Sequence, residues 1–220
     1  MPPRDRVSAP RTRRRDKQGP DPTVRREILS AAAKTLREQG VRAVSIAAIL
    51  ERTGLGTRAF YRHFASKDEL VAAVFLEMAR VEERRLRRRM ASAATEIDAV
   101  AAWIYGRLDL AFDANVRSDL RRVSLEAQSQ MFASPNLVQP AYAELLKPLS
   151  AALERGMQHG VFHDIDPVID AQVVHAVVWA GIERQWRTGD CERDDVRRRA
   201  LRFCLRGLGV TAEATAAVSL

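Results

Sequence analysis

The side chains best suited to chemistry are concentrated in one segment, GLGTRAFYRHFASKDEL, at residues 54–70. It combines two glycines with aromatic, basic and hydroxyl side chains, and such a cluster could cradle a phosphate, form a catalytic site or lie against a charged surface. A dinucleotide-binding loop is excluded because Ala59 stands where the pattern G-x-G-x-x-G has its third glycine. No strand pattern precedes the segment either, and that pattern needs one.

The catalytic and metal-binding alternatives depend on His63. A histidine can act as a general base, but no Ser, Cys or carboxylate stands at an informative local spacing from it. No second metal ligand follows four residues later. Cys191 and Cys204 are isolated, without a CxxC pair, so we expect two reduced thiols. The sequence predicts no catalytic residue, no metal and no cofactor.

Contact with nucleic acid is favoured by the position of the charge. Residues 1–70 contain 16 Lys and Arg against 8 Asp and Glu, whereas residues 71–220 contain 20 of each. The net charge of +8 therefore comes from the first third of the chain. Such a one-sided distribution indicates that this third meets a polyanion.

The elements that must position these side chains are helical. From Val24 onwards apolar residues recur at spacings of three and four, and no alternating strand pattern occurs. We therefore predict an all-α fold of about nine helices. Gly40 is predicted to end the first helix, Ser45 to cap the second, and Gly54 to end it.

The fourth helix is predicted to be long. Ser66 and Glu69 form a capping box, S-x-x-E, immediately before its apolar run begins. Its buried stripe is assigned to Leu70, Val74, Met78 and Val81. Five more helices are predicted beyond it, and the eighth helix of the chain is opened by Asp166 as N-cap with Pro167 at the first helical position.

The second and third helices have the lengths and the glycine-containing turn of a helix-turn-helix, in the segment SIAAILERT-GLG-TRAFYRHF. In that motif the first residues of the second helix reach base edges in the major groove, so we predict that Thr57 and Arg58 read bases. Phe60 and Phe64, four residues apart, are expected to anchor the helix in the core. The predicted phosphate contacts are Tyr61, Arg62, His63 and Lys67.

Residues 26–75 resemble the N-terminal DNA-binding domain of the tetracycline-repressor (TetR) family of bacterial transcription regulators. The resemblance lies in a first helix ending in Gly40, the Ser45 cap, FYRHF on the third helix and SKDEL at the start of the fourth. It implies a dimeric, repressor-type protein whose C-terminal domain binds an effector, and it adds Ser45 to the phosphate contacts. Gly56 and Ala59 depart from the Ser and Thr common in the family, which affects the operator sequence more than DNA binding itself.

Three regions are predicted: a disordered basic tail at 1–22, the helix-turn-helix domain at 23–70, and a ligand-binding and dimerisation domain at 71–220. Ligand sites in helical domains lie between helices, here helices five to eight. The candidate pocket residues are Trp103, Arg107, Glu126, Gln130, Met131, Tyr142 and His175. The eighth and ninth helices mix small and large apolar residues, as interfaces do. The candidate interface residues are Ala176, Trp179, Ala180, Ile182 and Trp186.

The sequence thus predicts a homodimeric regulator that binds a palindromic operator in double-stranded DNA and is released by a small hydrophobic effector. Two alternatives stay open. The chain could be a helical small-molecule binding protein or enzyme whose basic segment holds anionic substrates, or a packaging protein that binds nucleic acid by charge alone. No secretory signal or apolar run of roughly 20 residues occurs, so we expect a cytoplasmic protein without membrane contact.

Overall fold

The structure, a computed structural model, describes residues 21–216, without the side chains of residues 114–119 and 216. Residues 1–20 of the predicted basic tail lie outside this range. The last two residues of that tail belong to the first helix instead, because Asp21 is its N-cap and Pro22 its first residue. The Asp21 carboxylate accepts a hydrogen bond from the backbone N–H of Thr23 at 2.8 Å.

The described residues form ten α-helices and two short 3-10 turns, with no strand. The prediction of an all-α fold is confirmed, and a short tenth helix is added at the C-terminal end. The helices are α1 Pro22–Gln39, α2 Ile46–Thr53, α3 Thr57–Tyr61, α4 Lys67–Met90, α5 Glu96–Phe112, α6 Ala114–Ala133, α7 Gln139–Gln158, α8 Pro167–Thr188, α9 Arg193–Gly207 and α10 Ala212–Ala216. The 3-10 turns are Val41–Ala43 and Pro135–Leu137.

The predicted helix ends are confirmed by their hydrogen bonds. Ser45 Oγ accepts from the N–H of Ala48 at 3.1 Å and so caps α2. Ser66 Oγ accepts from the N–H of Glu69 at 3.0 Å and caps α4. Gly54, between α2 and α3, has a φ of +67°, which side-chain-bearing residues rarely adopt. Local signals readable from the sequence therefore set the helix boundaries of the N-terminal part.

Two hydrophobic clusters fill the interior. The N-terminal cluster is built by α1 to α3 and the first half of α4, and it also takes Val123 from α6 and Val138 and Ala141 from the start of α7. The C-terminal cluster is built by α5, α7, α8 and α9 with Leu86 of α4. Helix α4 therefore contributes to both clusters and connects them.

The predicted stripe on α4 is wrong at its last position. Val81 is 59% exposed, whereas Glu82, four residues after Met78, is buried. Leu86, a further four residues on, is also buried. The buried stripe therefore continues at a spacing of four, but a carboxylate occupies one of its positions.

Helix α5 is the centre of the C-terminal part and is buried on all sides, not along one stripe. It packs against α4, α6, α7, α8 and α9. Its close approach to α4 depends on Gly106, where an added Cβ would stand 2.7 Å from a methyl carbon of Leu86. One turn further, the buried Asp109 carboxylate accepts hydrogen bonds from Arg89 at 2.7 Å and from Arg193 at 2.8 Å.

Candidate nucleic-acid interface and ligand cavity

Helix α3 is held in place by two aromatic side chains. Phe60 and Phe64 are fully buried in the N-terminal cluster, with their ring centroids 5.9 Å apart. Burying two phenyl rings stabilises the attachment of this five-residue helix, which is too short to be stable alone. The opposite face, which begins with Thr57 and Arg58, is exposed.

The surface formed by the exposed face of α3, the residue after it and the start of α4 is positively charged. Among the described residues, Arg58, Arg62 and Lys67 form no ion pair or side-chain hydrogen bond. Tyr61 is 54% exposed, with its ring edge against Phe60. Guanidinium and ammonium groups left unpaired on a rigid surface are available for phosphates and base edges.

Two predicted contacts are less accessible. His63 is half-buried, and its Nδ1 is buried without a hydrogen-bond partner in the described part of the chain. Ser45 uses its oxygen as the acceptor that caps α2, so only its hydroxyl hydrogen remains available for a phosphate. Both residues stay predicted contacts, His63 through its Nε2 and Ser45 through its hydroxyl hydrogen.

A small inner chamber of about 90 Å³ lies between α4, α5, α6, α7 and α8. Its wall is mostly apolar, with a few polar groups: Glu82, Arg107, Ser124, Tyr142 and His175. An outer groove of about 1050 Å³ runs between α7, α8 and the end of α6. Both spaces are lined by Tyr142, His175 and Trp179, so these side chains stand between them.

The chamber lies at the boundary between the two hydrophobic clusters. The N-terminal cluster supplies Phe75, Met78, Ala79, Val123, Ala127, Val138 and Ala141 to its wall. The C-terminal cluster supplies Leu110, Leu120, Leu145 and Trp179. A molecule in the chamber would touch both cores at once.

The polar end of the chamber is an ion-pair network. Arg107 Nη1 donates to Glu82 Oε1 at 2.9 Å, and Arg85 donates to both carboxylate oxygens of Glu82 at 2.8 Å. Arg85 also donates to the carbonyl of Gly106 at 2.6 Å. Burial alone would raise the pKa of Glu82, but the hydrogen bonds from Arg85 and the charge of Arg107 hold it below the ordinary value. Glu82 is therefore ionised.

His175 is the other buried titratable group of the chamber. Its ring meets the edges of Trp103 and Tyr142, with centroid distances of 6.1 Å and 5.4 Å. Burial, with a smaller contribution from the charge of Arg107, lowers its pKa to about 3. The imidazole is therefore neutral near pH 7. Tyr142 Oη donates to Gln128 Oε1 at 2.7 Å, and burial raises the pKa of its phenol.

The candidate pocket residues separate into two groups. Arg107, Tyr142 and His175 line the chamber, Met131 lines the outer groove, and Trp103 is fully buried against His175. Trp103, Glu126 and Gln130 line neither space. Glu126 lies against the end of α1, where a Cβ on Gly40 would stand 2.8 Å from its Oε1.

Sequence reasoning missed Glu82 and Ser124. A signal for Glu82 existed, because a carboxylate at a position that continues an apolar stripe is buried and needs a partner. Ser124 carried no such signal, since a single hydroxyl on an amphipathic helix usually lies on the surface.

On α6, Arg122 donates to the backbone carbonyl of Glu38 near the end of α1. The helix that forms one wall of the chamber is thus bonded to the first helix of the N-terminal part.

The candidate interface residues of α8 do not share one face. Ile182 and Trp179 are buried within their own chain, and Trp186 is half-buried against Trp179 with a centroid distance of 5.6 Å. Their burial reflects intramolecular packing in the C-terminal cluster, so they present little surface to a second chain. The exposed apolar stripe of α8 instead consists of Ile169, Val173, Ala176 and Ala180.

No helix in the described range is long and apolar enough to cross a membrane. Within the same range, no three His, Cys, Asp or Glu side chains lie together as potential metal ligands.

The comparisons with known proteins agree with the geometry of the N-terminal part. Residues 28–74 match the family model described as "Bacterial regulatory proteins, tetR family". The HTH-type transcriptional regulator BetI of Brucella suis is 31% identical over 88 residues, which is 40% of this chain and only 44% of that protein. The HTH-type transcriptional repressor KstR2 of Mycobacterium tuberculosis is 23% identical over 188 residues, 84% of this chain and 92% of that protein. These relatives are transcriptional regulators, not enzymes.

The whole fold is also found in solved structures. The crystal structure of RolR in complex with resorcinol superposes with a TM-score of 0.66 at 21% identity, covering 90% of this chain and 95% of that one. At this identity the likeness concerns the fold: a helix-turn-helix domain followed by a helical bundle.

Proposed function

We propose that this chain, which belongs to the TetR family of bacterial transcriptional regulators, is a homodimeric repressor released from a palindromic operator by a small, largely apolar effector. The observation that carries the proposal is the exposed face of α3, where Thr57 and Arg58 have no side-chain partner among the described residues, on a helix anchored by two buried phenyl rings. A rigid helix with free donors at its leading end suits insertion into the major groove.

Each residue of this surface has a proposed role. Arg58 can donate two hydrogen bonds to a guanine, and Thr57 can bond a base edge or touch a thymine methyl. Tyr61 and Arg62 are exposed on the following turn and are the proposed donors to phosphate oxygens. Lys67 stands in the first turn of α4, where its ammonium and the free backbone N–H groups can hold a further phosphate. His63 and Ser45 complete the backbone contacts.

We assign effector binding to the chamber and the adjacent groove. RolR, which has the same fold, was crystallised with resorcinol, a small aromatic molecule. The proposed mechanism is a population shift: an effector favours a conformation in which the recognition helices no longer match the half-sites. The hydrogen bond from Arg122 to the carbonyl of Glu38 offers a direct mechanical connection between the chamber wall and α1.

Dimerisation is assigned to α8 and α9. The exposed stripe of α8, from Ile169 to Ala180, places two large apolar side chains and two alanines on one face, which permits close helix approach. Phe203 on α9 is 65% exposed. Two recognition helices must reach half-sites about 34 Å apart, or a multiple of it, and a two-fold dimer meets that requirement.

The test is binding to DNA flanking the gene, compared with random DNA, across salt concentrations. We expect a tight palindromic site and a steep negative salt slope from the phosphate contacts. Arg58→Ala should cost roughly 1–3 kcal/mol at one position of each half-site, whereas Lys67→Ala should weaken all sequences alike. Arg80→Ala is the control, because Arg80 is an exposed arginine of α4 outside the proposed DNA-binding and dimerisation surfaces.

The outcomes separate the alternatives. Equal affinity for random DNA would support packaging by charge alone, and no DNA binding would support a small-molecule binding protein. Unchanged sequence preference in Arg58→Ala would show that Arg58 does not read a base.

A further inference from the structure

Arg107 is a buried guanidinium with too few acceptors. The side chain is 6% exposed, and the described residues give it one hydrogen bond, from Nη1 to Glu82. Its Nε is buried without a partner. A guanidinium has five N–H donors, and buried donors are almost always paired in folded proteins. The chamber wall therefore contains donors that lack acceptors.

The carboxylate beside Arg107 is already engaged elsewhere. Arg85 donates to both oxygens of Glu82, so Glu82 serves two cations. The next buried carboxylate, Asp109, is also occupied. It lies 4.0 Å from Arg85 and accepts hydrogen bonds from three other arginines. Those three are Arg89, Arg193 and Arg197.

Arginines outnumber the buried carboxylates in this network. Five arginines share the two buried carboxylates, Glu82 and Asp109. The exposed Asp194 lies 3.9 Å from Arg197, and the charge of Asp113 at the end of α5 acts on Arg85. Of the five arginines, Arg107 is the one that lines the chamber. A negatively charged group in the chamber would complete its set of partners.

The rest of the chamber wall indicates the chemistry of the remainder of the bound molecule. Apart from Glu82 and Arg107, it is formed by aliphatic and aromatic side chains with Ser124, Tyr142 and His175. The His175 Nδ1 is also buried, and no residue in the described range bonds to it. An apolar body would fill the chamber, while an acid group at one end accepts hydrogen bonds from Arg107 and from a neutral imidazole.

We propose that the effector is an apolar carboxylic acid, bound as its carboxylate to the Arg107 guanidinium with its hydrocarbon part in the chamber and groove. This inference rests on the proposed function, because it identifies the chemical class of the effector in the same cavity. The buried position of Arg107 makes the pairing strong, since hydrogen bonds between ionised groups gain strength away from water.

Matched probes test the charge requirement. Octanoate, decanoate and 4-phenylbutyrate would each be compared with the corresponding primary amide and amine by calorimetric titration of the full chain. We expect at least one carboxylate to bind at least tenfold more tightly than its amide, because the hydrogen bonds to a charged group are lost in the amide. The amine should bind more weakly than the amide.

Two substitutions should act in opposite directions. Arg107→Met removes the guanidinium and should abolish the preference for acid over amide. Glu82→Gln removes the competing carboxylate and should tighten carboxylate binding severalfold, while amide binding changes little in either variant. Arg198→Met is the surface control. Should either single variant fail to fold, the double variant Arg107→Met/Glu82→Gln removes both charges and should show no preference.

Equal affinity for acid and amide, preference for the amine, or no binding of any carboxylate would each overturn the proposal. Operator binding by the same preparations is measured in parallel. Intact operator binding with any of these outcomes would refute only the effector class, whereas loss of operator binding in the unmodified chain would refute the proposed function.

Discussion

Acidification should destabilise this protein through His175 at pH values well above those at which carboxylates titrate. The folded-state pKa of about 3 lies below the ordinary value of 6.5, so the unfolded chain binds a proton at this site that the folded chain does not. The contribution of the neutral, buried imidazole to the free energy of unfolding is fully present above pH 6.5 and is lost as the pH falls toward 3. Between pH 7.5 and 5, the unfolded chain takes up nearly one proton, which costs about 2 kcal/mol of unfolding free energy.

Glu82 acts in a different pH range. Its pKa is lowered from 4.5, so its contribution is present above that value and is lost only as the pH falls further. The interval from pH 7.5 to 5 therefore isolates His175 from this carboxylate.

The assay is urea denaturation of the wild type and of His175→Gln at several pH values in this interval. The variant keeps a neutral polar side chain but cannot titrate, so its pH slope should be smaller, with a difference of about 2 kcal/mol accumulated by pH 5. Measuring the difference between the two chains removes the contribution of the other histidines. Parallel pH profiles for the two proteins would refute the reasoning, because they would mean that His175 can become charged in the folded state without penalty.

Three further predictions concern stability and are measured by thermal or urea unfolding. Gly156→Ala should cost roughly 1–3 kcal/mol by overpacking, because the added Cβ would stand 2.2 Å from the buried ring of Phe162. Gly207→Ala, where nothing lies within 4 Å, is the matched control and should be neutral or slightly stabilising; equal losses would contradict the packing. Ser66→Ala should lower stability by about 1 kcal/mol through loss of the α4 cap, whereas Ser66→Thr should retain most of it. Asp109→Asn should cost roughly 2–3 kcal/mol, somewhat less than a fully buried pair because its arginines are partly exposed, and an unchanged melting temperature would show that this network is not structural.

The N-terminal part was largely predictable from the sequence because its determinants are local. Ser45 and Ser66 are caps whose acceptors lie three residues from their donors, and Gly54 adopts a backbone conformation that its lack of a Cβ allows. Phe60 and Phe64 repeat at helical spacing and both face the core. Pattern and structure agree at these positions, where the determinants are close in sequence.

The C-terminal part was less predictable because its determinants are distant in sequence. Arg107 pairs with Glu82 across 25 residues, and spacing alone does not identify such a partner. The apolar pattern on α8 did not distinguish Ile182, which packs inside the chain, from Ala180, which is exposed. Helix α5 has no polar face because five other helices surround it. A periodic pattern indicates that a face is buried, but not against which element.

The position of the chamber limits how new specificities could be engineered into this scaffold. Substituting Phe75 or Val138 to admit another molecule would also remove packing from the core that holds the recognition helix, so altered specificity there would come with a weakened DNA-binding domain. Leu110, Leu120 and Leu145 also line the chamber but belong to the other core. A library that varies only these three residues should yield variants with changed ligand specificity whose N-terminal core is intact.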